Sequence, residues 1–297
     1  MSGPLISVIT VTRNLIEDGR RDSIRSALDC VQAQTCRDIE HVVWDGESTD
    51  GTQDLLEGLV AQIQGQPDHI TLKYICASDK SIYDAMNQAA EASRGKYVIF
   101  LNSDDLLAAP DCLEAAAAAL RARPVDYLVG ETLYDLESGE RQHARKTTLK
   151  GMLQSMPFCH NSVLFDRVAL QRFGGHDTRF RIAADYDLLL RMILANCPGA
   201  ELPTPLALFR RGGISTDVET AKAEMRVSWR NNFQPYCDMT GYSDEEMQGW
   251  MRKGQLPLRL SLALYGASKG NPALRRAASY SLIKTVRRRL QPWRRWG

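Results

Sequence analysis

The sequence lacks the glycine-rich phosphate loops that mark the common nucleotide-binding enzymes. No G-x-G-x-x-G follows the first predicted strand, and no G-x-x-x-x-G-K-[ST] occurs in the chain. The residues after that strand, Thr12-Arg-Asn-Leu-Ile-Glu17, also lack the glycines that a nucleotidyltransferase needs there. These absences argue against a dehydrogenase, a P-loop enzyme and a nucleotidyltransferase.

Other absences restrict the partners and the location. A net charge of +1 leaves no basic excess to neutralise phosphates, so we expect no nucleic-acid partner. No apolar run approaches the roughly 20 residues that span a bilayer, and Met1-Ser-Gly-Pro4 is not a basic and apolar leader. The seven cysteines include no C-x-x-C pair, which argues against a zinc site or a disulfide framework. We therefore expect a reduced, cytoplasmic protein.

Strands and helices alternate along the first part of the chain. Runs rich in β-branched and apolar residues predict four strands, at 5–12, 39–44, 70–75 and 98–101. Helical periodicity predicts helices from about Asp22, after Asp50, at 81–94 and at 111–121. This order predicts an α/β fold with a mainly parallel sheet. Beyond Pro124 the pattern loosens, and a second helix-rich part is predicted from near Leu164, with a clear helix at 185–194.

Acidic residues follow the apolar strands at the points where those strands end. Asp104 and Asp105 follow the strand Val98–Leu101, and Asp45 follows the second strand. The carboxyl ends of parallel strands meet at one edge of a sheet, where ligands bind in open α/β folds. Two carboxylates there suit a hard divalent cation, which in turn suits a diphosphate. A lone aspartate such as Asp45 is more often a turn or capping residue.

Together these motifs resemble the inverting family 2 glycosyltransferases with the GT-A fold. The matching segments are Ser7-Val-Ile-Thr-Val-Thr-Arg-Asn14, Val43-Trp-Asp-Gly-Glu-Ser-Thr-Asp-Gly-Thr52, Ile82-Tyr-Asp-Ala-Met-Asn87, Phe100-Leu-Asn-Ser-Asp-Asp105, Cys159-His-Asn-Ser162, Ala184-Asp-Tyr-Asp187 and Gly212-Gly-Ile-Ser215. The resemblance covers roughly residues 5 to 216. It implies a Rossmann-like, mainly parallel central sheet flanked by helices, and a place in bacterial polysaccharide biosynthesis.

The resemblance also implies roles for residues that bind the donor. By this match, the nucleotide base pocket is lined by Thr10, Val11, Thr12 and Arg13. Asp45 would accept a hydrogen bond from uracil or thymine, and Asp79 would contact the ribose or the base. Asp104 would hold the ribose or assist the metal. Asp105 would coordinate Mn²⁺ or Mg²⁺, which bridges the two phosphates.

Three further assignments concern the transfer step. Asp185 matches the position of the family's general base, although it could equally cap its helix, and Asp187 is an eligible neighbour. His160 matches a histidine that the family places near the active site, in contact with donor phosphate or acceptor. The segment Gly212-Gly213 with Ser215 resembles a loop that closes over the donor, and an ordinary turn is the alternative.

Two positions depart from the family pattern. Ser81 stands where the family often has a glycine, just before Ile-Tyr-Asp-Ala-Met-Asn. Glu47 stands in the loop after Asp45, where glycine is also commoner. Both departures bear on the local backbone, and the first also bears on the identity of the donor.

The C-terminal part is predicted to be a helical, basic appendage. We expect a GT-A domain at 1–228, with a nucleotide-binding half at about 1–123 and an acceptor half at about 124–228, followed by the appendage at 229–297. From Arg275 onward the chain is rich in Lys and Arg and contains no Asp or Glu. One helical face there carries Leu282, Ile283, Val286 and Leu290. Such a segment is typical either of a helix that binds the inner face of an anionic membrane or of a solvated tail.

The sequence therefore predicts a metal-dependent glycosyltransferase. It would move a sugar from a UDP- or TDP-sugar to a carbohydrate or lipid-linked glycan acceptor. The alternative is a non-catalytic scaffold that binds nucleotide sugars on the same fold. Metal-dependent hydrolysis of the donor separates the two, because a pure binder would lack it.

Overall fold

The computed structural model describes residues 3–135, 141–143, 149–210 and 217–290. The chain divides into two compact units. The first, here called the sheet unit, comprises Met1–Thr147, Phe158–Thr178 and Pro198–Gly212. The second, here called the helical unit, comprises Thr148–Pro157, Arg179–Cys197 and Gly213–Gly297.

The described residues of the sheet unit form one nine-stranded sheet. Its strands are β1 (Ile6–Thr12), β2 (Ile39–Asp45), β3 (Thr71–Cys76), β4 (Tyr97–Phe100), β5 (Leu106–Leu107), β6 (Tyr127–Asp135), β7 (Arg141–His143), β8 (Val163–Asp166) and β9 (Gly199–Phe209). The strand order is β3-β2-β1-β4-β8-β6-β9-β5, and β7 pairs with β6. The α/β class predicted from the sequence is confirmed.

The parallel arrangement holds for the first four strands in the sheet order. β1 lies between β2 and β4 and is parallel to both, and β3 extends the parallel set beyond β2. The sheet becomes mixed after β4, because β8 is antiparallel to both β4 and β6. β9 then runs parallel to β6 and antiparallel to β5.

Helices cover the strands of the sheet unit. They are α1 (Arg21–Gln32), α2 (Thr52–Gln64), α3 (Ile82–Ala92), α4 (Cys112–Ala122) and α5 (Arg167–Arg172). Buried side chains of α1, α2 and α4 pack against the strands in two apolar clusters. Burial of this apolar surface stabilises the sheet and fixes the height at which each strand ends.

One prediction for this unit is wrong. The helix-rich part expected from near Leu164 instead begins with β8, whose four residues are inserted between β4 and β6. The helix starts only at Arg167, where the Asp166 side chain accepts a hydrogen bond from the Ala169 N–H at 2.9 Å. A short apolar run has no periodicity that separates a strand from a helix.

The described residues of the helical unit form α-helices and one 3-10 turn at Leu149–Gly151. Its helices are α6 (Ala184–Leu194), α7 (Val218–Phe233), α8 (Asp244–Lys253), α9 (Leu258–Ala267) and α10 (Pro272–Leu290). Buried Trp229 stacks on Trp250 with ring centroids 6.0 Å apart. The Asn271 side chain donates to the Ile193 carbonyl at 2.7 Å and so caps the end of α6.

The predicted domain boundaries remain predictions. The boundary expected at residue 229 falls inside α7, which runs without a break from Val218 to Phe233. The boundary expected at residue 123 lies at the end of α4. Among the helices that the structure describes, none is both long and apolar enough to cross a membrane.

Candidate active site

The carboxyl ends of β1, β2 and β4 lie side by side at one edge of the sheet. Thr12 at the end of β1 is in register with Asp45 at the end of β2. On the other side of β1, the Leu101 N–H donates to the Ile9 carbonyl at 2.8 Å. β1 therefore has neighbours from opposite directions in the chain order, and such a switch point opens a ligand crevice. The structure brings Thr12, Asp45 and the Asp104–Asp105 pair to this edge.

Asp45 is completely buried, and its carboxylate already accepts hydrogen bonds. Oδ1 accepts from the Ser48 N–H at 2.7 Å, and Oδ2 accepts from the hydroxyls of Ser48 at 2.7 Å and Thr12 at 3.2 Å. These bonds hold the loop after β2 against the end of β1. A nucleobase would have to donate a further hydrogen bond to the Asp45 carboxylate or displace one of the present donors. The predicted contact between Asp45 and the base therefore remains a prediction.

The remaining members of the predicted base pocket differ in their exposure. Thr10 is fully buried, and its hydroxyl lies 3.0 Å from Nε2 of His41, while Val11 is half-buried. Arg13 is exposed, and its guanidinium lies 3.6 Å from the buried carboxylate of Asp79. Burial raises the pKa of Asp79, and Trp44 and Arg13 partly offset that effect. Asp79 also packs so closely on Gly46 that any side chain there would collide with it.

Asp104 and Asp105 occupy different environments. Asp104 is partly exposed, and its carboxylate lies 3.5 Å from the guanidinium of Arg20. Asp105 is buried, with 1% of its surface exposed. Its Oδ1 accepts from the Arg210 N–H at 2.8 Å, and its Oδ2 accepts from the amides of Asn102 at 3.1 Å and Asn161 at 2.5 Å.

The surroundings of Asp105 fit a divalent cation. Within the described part of the chain, no donor reaches the buried side-chain oxygens of Asn102 and Asn161, which belong to the same amides that donate to Asp105. Those described residues contain no cluster of three or more His, Cys, Asp or Glu arranged as a metal site. A single carboxylate is nevertheless compatible with Mg²⁺ or Mn²⁺, because such ions take further oxygens from substrate phosphates and water.

The pKa of Asp105 reflects this environment. Burial raises the pKa to about 6, and the charge of Asp104 acts in the same direction. The hydrogen bonds from Arg210 and Asn102 and the charge of His160 lower it. A bound cation would favour the ionised carboxylate.

Several residues that contact the site were missed by the sequence reasoning. Asn161 belongs to the quoted segment Cys159-His-Asn-Ser162, but only His160 was singled out there. Asn102 lies in the turn after β4, and Arg20 lies just before α1. Asn102 and Asn161 lie within segments that match the family, so those segments were the signal that could have found them. Arg20 had no such signal.

The two departures from the family pattern have structural explanations. Ser81 is the N-cap of α3, and its hydroxyl accepts from the Asp84 N–H at 3.2 Å. Glu47 adopts a left-handed backbone with φ of 56°, which glycine enters without strain. The turn after Asp45 therefore keeps a conformation that favours glycine, although this chain has a glutamate there.

Asp185 and Asp187 both lie in the first turn of α6 and are buried. The Asp187 carboxylate accepts hydrogen bonds from Ser228 at 2.7 Å and Asn232 at 2.8 Å, both on α7, and from Arg191 at 2.7 Å. Asp187 therefore anchors α6 to α7. The third predicted element of the transfer step, Gly212-Gly213 with Ser215, lies outside the described residues.

Comparison with solved structures identifies the fold. TarS 1–349 of S. aureus, in complex with UDP-GlcNAc, has a TM-score of 0.60 at 16% identity, over 96% of this chain and 92% of that 1–349 fragment. The mannosyltransferase PcManGT from Pyrobaculum calidifontis, in complex with GDP-Man and Mn²⁺, has a TM-score of 0.59 at 19% identity, over 99% of this chain and 88% of its own. The fold is thus the GT-A fold of glycosyltransferases, as the sequence predicted.

Sequence comparison then gives the family. The model of glycosyl transferase family 2 matches residues 7–180, more than half of the chain, and the protein belongs to that family. A PGL/p-HBAD biosynthesis glycosyltransferase of Mycobacterium bovis is 29% identical over 192 residues, 64% of this chain and 70% of the relative. An uncharacterised glycosyltransferase of Mycobacterium tuberculosis is 32% identical over 228 residues, 73% of this chain and 79% of the relative. The protein is a glycosyltransferase.

Proposed function

We propose that the protein transfers a sugar from a UDP- or TDP-sugar to a hydroxyl group of a carbohydrate or lipid-linked glycan, with inversion at the anomeric carbon. The observation that carries the proposal is the buried carboxylate of Asp105 at the ligand-binding edge of the sheet, flanked by two amide oxygens without donors in the described structure. Bacterial surface-polysaccharide synthesis is the proposed setting.

Asp105 would hold Mn²⁺ or Mg²⁺ in this proposal. A bound divalent cation offsets the negative charge that develops on the leaving nucleoside diphosphate. The chain's own contribution is to orient the Asp105 carboxylate, through the amides of Asn102 and Asn161 and the N–H of Arg210. Asp104 is proposed to hold the ribose or assist the metal, and Asp79 to contact the ribose or the base. Arg13 is proposed to line the base pocket, and His160 to contact the phosphate or the acceptor.

Asp185 is the proposed general base. Its carboxylate would accept the proton of the acceptor hydroxyl while that oxygen forms a bond to the anomeric carbon. The bond from the anomeric carbon to the diphosphate oxygen breaks in the same displacement, and the nucleoside diphosphate leaves with the electron pair. The Asp187 carboxylate binds Ser228, Asn232 and Arg191, and its proposed role is to anchor α6 to α7. Such a base contributes about 10²–10⁴-fold in rate.

A ligand panel tests the donor and the metal. The thermal unfolding of the protein is followed with UDP, TDP, GDP and their sugar conjugates, each with and without Mn²⁺. Guanosine compounds belong in the panel because PcManGT was solved with GDP-Man. A donor at 100 times its Kd should add about 2.7 kcal/mol to the free energy of unfolding. Stabilisation by a UDP- or TDP-sugar only when Mn²⁺ is present supports the proposal, and metal-independent binding contradicts it.

A pair of variants tests the base. Asp185→Asn should lower kcat by about 10²–10⁴-fold with little change in donor KM. Asp187→Asn is the matched control on the same helical turn. It should retain far more activity and should lower the melting temperature, because it weakens the anchor to α7. A near-inactive Asp187→Asn beside an active Asp185→Asn would move the base to Asp187.

We also propose that residues 275–297 contact an anionic membrane. Residues 247–297 contain twelve of the 37 Lys and Arg residues and none of the 36 acidic residues. In α10, one exposed stripe carries four large apolar side chains, Tyr280 (41% exposed), Ile283 (53%), Val286 (38%) and Leu290 (67%). Arg276 and Arg287 are exposed on the same helix. Apolar side chains framed by basic ones suit an anionic lipid surface.

Vesicle co-sedimentation tests this contact with the full chain. Ile283→Glu should weaken binding to phosphatidylcholine vesicles that contain phosphatidylglycerol, and the wild type should bind weakly without phosphatidylglycerol. Val168→Glu is the matched control, because Val168 is 66% exposed on α5 of the sheet unit. If Ile283→Glu instead abolishes a dimer in vesicle-free buffer, the face belongs to a second copy of the chain and the membrane proposal is wrong.

A further inference from the structure

One stripe of α7 holds the start of α6. Glu224, Ser228 and Asn232 are spaced four residues apart, so they lie on the same face of the helix. All three side chains contact residues from 181 to 187, the segment that contains Asp185. These contacts lie within the helical unit.

Glu224 binds the backbone that leads into α6. Its Oε1 accepts from the Arg181 N–H at 2.6 Å, and its Oε2 accepts from the N–H groups of Ile182 and Ala183, both at 2.8 Å. The N-cap residue Ala183 has no side chain that could accept a hydrogen bond. Glu224 instead holds the three amides that precede the first turn of α6, and its carboxylate places a negative charge at the N-terminal end of that helix, where it is favourable.

The residues that follow Asp185 are held by the same helix. The Trp229 indole N–H donates to the Tyr186 hydroxyl at 2.7 Å, in a fully buried contact. The Asp187 carboxylate accepts from Ser228 and Asn232. α7 thus fixes the backbone immediately before Asp185 and the side chains immediately after it. None of these contacts has an evident role in binding a ligand.

We propose that Glu224 is a positioning residue for the transfer step. By holding the three amides before α6, its carboxylate sets the position from which Asp185 reaches the acceptor hydroxyl. This inference rests on the proposed role of Asp185 as the general base. A displacement of about 1 Å in a reacting group can cost about 10²-fold in rate. The loss of Glu224 should therefore appear in kcat rather than in donor binding.

Glu224→Ala is the first variant to measure. We expect kcat to fall about 10- to 100-fold, with the donor KM within about twofold of wild type. Glu219→Ala is the matched control, because Glu219 lies on the same helix, is 71% exposed and pairs with Lys222 of that helix at 2.8 Å. Glu224→Gln should recover part of the loss, since one amide oxygen can replace Oε2.

A double-mutant cycle separates positioning from general stability. In an Asp185→Asn background, Glu224→Ala should lower kcat by less than twofold, because the group that it positions is already disabled. A loss as large as that in the wild-type background would overturn the inference, as would normal kcat in Glu224→Ala. If Glu224→Ala does not fold, the same cycle with Glu224→Gln decides the matter. Inactivity of the wild type itself would contradict the proposed function instead.

Discussion

At the end of the parallel sheet where the strands begin, the buried carboxylate of Glu40 is fully matched by donors. It accepts from the Ser7 hydroxyl at 2.6 Å, from the Arg94 side chain at 3.1 Å, and from the N–H groups of Arg94 and Gly95. At the end where the strands finish, Asp105 is bound by amides whose own oxygens have no donor among the described residues.

The two carboxylates differ in pKa as well as in surroundings. Burial raises the pKa of Glu40, but the hydrogen bonds from Ser7 and Arg94 outweigh it, so the pKa lies below its ordinary value. For Asp105 burial prevails and the pKa rises to about 6. Burial alone therefore does not distinguish a structural acid from one that is proposed to bind a ligand. The difference is whether the protein itself supplies all the donors and the positive charge.

The largest effect on activity, and the sharpest test of the difference between Asp105 and Glu40, is expected from a substitution at Asp105. Asp105→Asn should lower kcat/KM by about 10³-fold, because a metal's contribution of several kcal/mol is lost and each 1.36 kcal/mol is a factor of ten. The melting temperature should stay constant or rise, since a buried charge is removed. Steady-state kinetics with Mn²⁺ and thermal unfolding measure the two effects. Exposed Asp111→Asn is the control, and full Mn²⁺-stimulated activity in Asp105→Asn would contradict the metal role.

The opposite behaviour is expected at Glu40. Glu40→Ala leaves the Arg94 N–H without its acceptor, while the Gly95 N–H keeps the Ser7 hydroxyl at 2.8 Å. One unsatisfied buried donor costs about 1–3 kcal/mol, so the free energy of unfolding should fall by about that amount. Activity per folded molecule should be unchanged. Denaturant unfolding measures the loss, with exposed Glu57→Ala as the control. A stable but inactive Glu40→Ala would break the comparison between the two ends.

The sequence predicted much of the parallel half of the sheet. The β-branched runs placed β1, β2, β3 and β4 within one residue of their observed starts, because each run is locally rich in β-branched and apolar residues. Strand β8 was missed, because its four residues become a strand only through pairing with β4 and β6. Such long-range pairing leaves no local pattern.

The same reasoning explains the result for the site. The acids at the strand ends were found because an aspartate after an apolar run has a recognisable pattern. Asn161 and Glu224 were missed, because each is a single polar residue whose role arises from a partner 56 or more than 40 positions away. Their functions depend on tertiary contacts, which no local spacing encodes.

A smaller effect, on the pH dependence of the free energy of unfolding, is expected from His41. This residue lies on β2, between Glu40 and Asp45. Burial lowers its pKa to about 3, so the folded protein keeps His41 neutral. The unfolded chain takes up a proton below about pH 6.5. Above pH 6.5 both states keep His41 neutral and stability is unaffected. As the pH falls from 6.5 toward 3, protonation of the unfolded chain lowers the free energy of unfolding, and this loss reaches about 2 kcal/mol at pH 5.

His41→Gln tests this dependence. Its free energy of unfolding should fall less steeply between pH 7.5 and pH 5 than that of the wild type, and Gln keeps a polar partner for Thr10. Exposed His69→Gln should leave the slope unchanged. Equal slopes in the wild type and His41→Gln would mean that the folded protein protonates this histidine.

The smallest effect concerns the turn that carries Asp45 into the site. Glu47 has φ of 56°, where a side chain costs about 1–2 kcal/mol and glycine costs nothing sterically. Glu47→Gly should change the free energy of unfolding by less than about 1 kcal/mol, because the flexibility of glycine in the unfolded chain offsets the relief. Glu47→Val should lower it by about 1 kcal/mol or more. Chemical denaturation compares them, and equal stability of the two variants would contradict a strained turn.

The order of the strands in the sheet has a consequence for synthesis of the protein on the ribosome. The four parallel strands are complete once residue 100 has been made, but the free edge of β4 has no partner until β8 is made at residues 163–166. At roughly 5–20 residues per second, the nascent chain passes about 3 to 13 seconds with the open edge of β4 uncovered. An uncovered edge strand is a template for pairing with another chain. Translation speed between residues 100 and 166 therefore sets how long this edge stays uncovered.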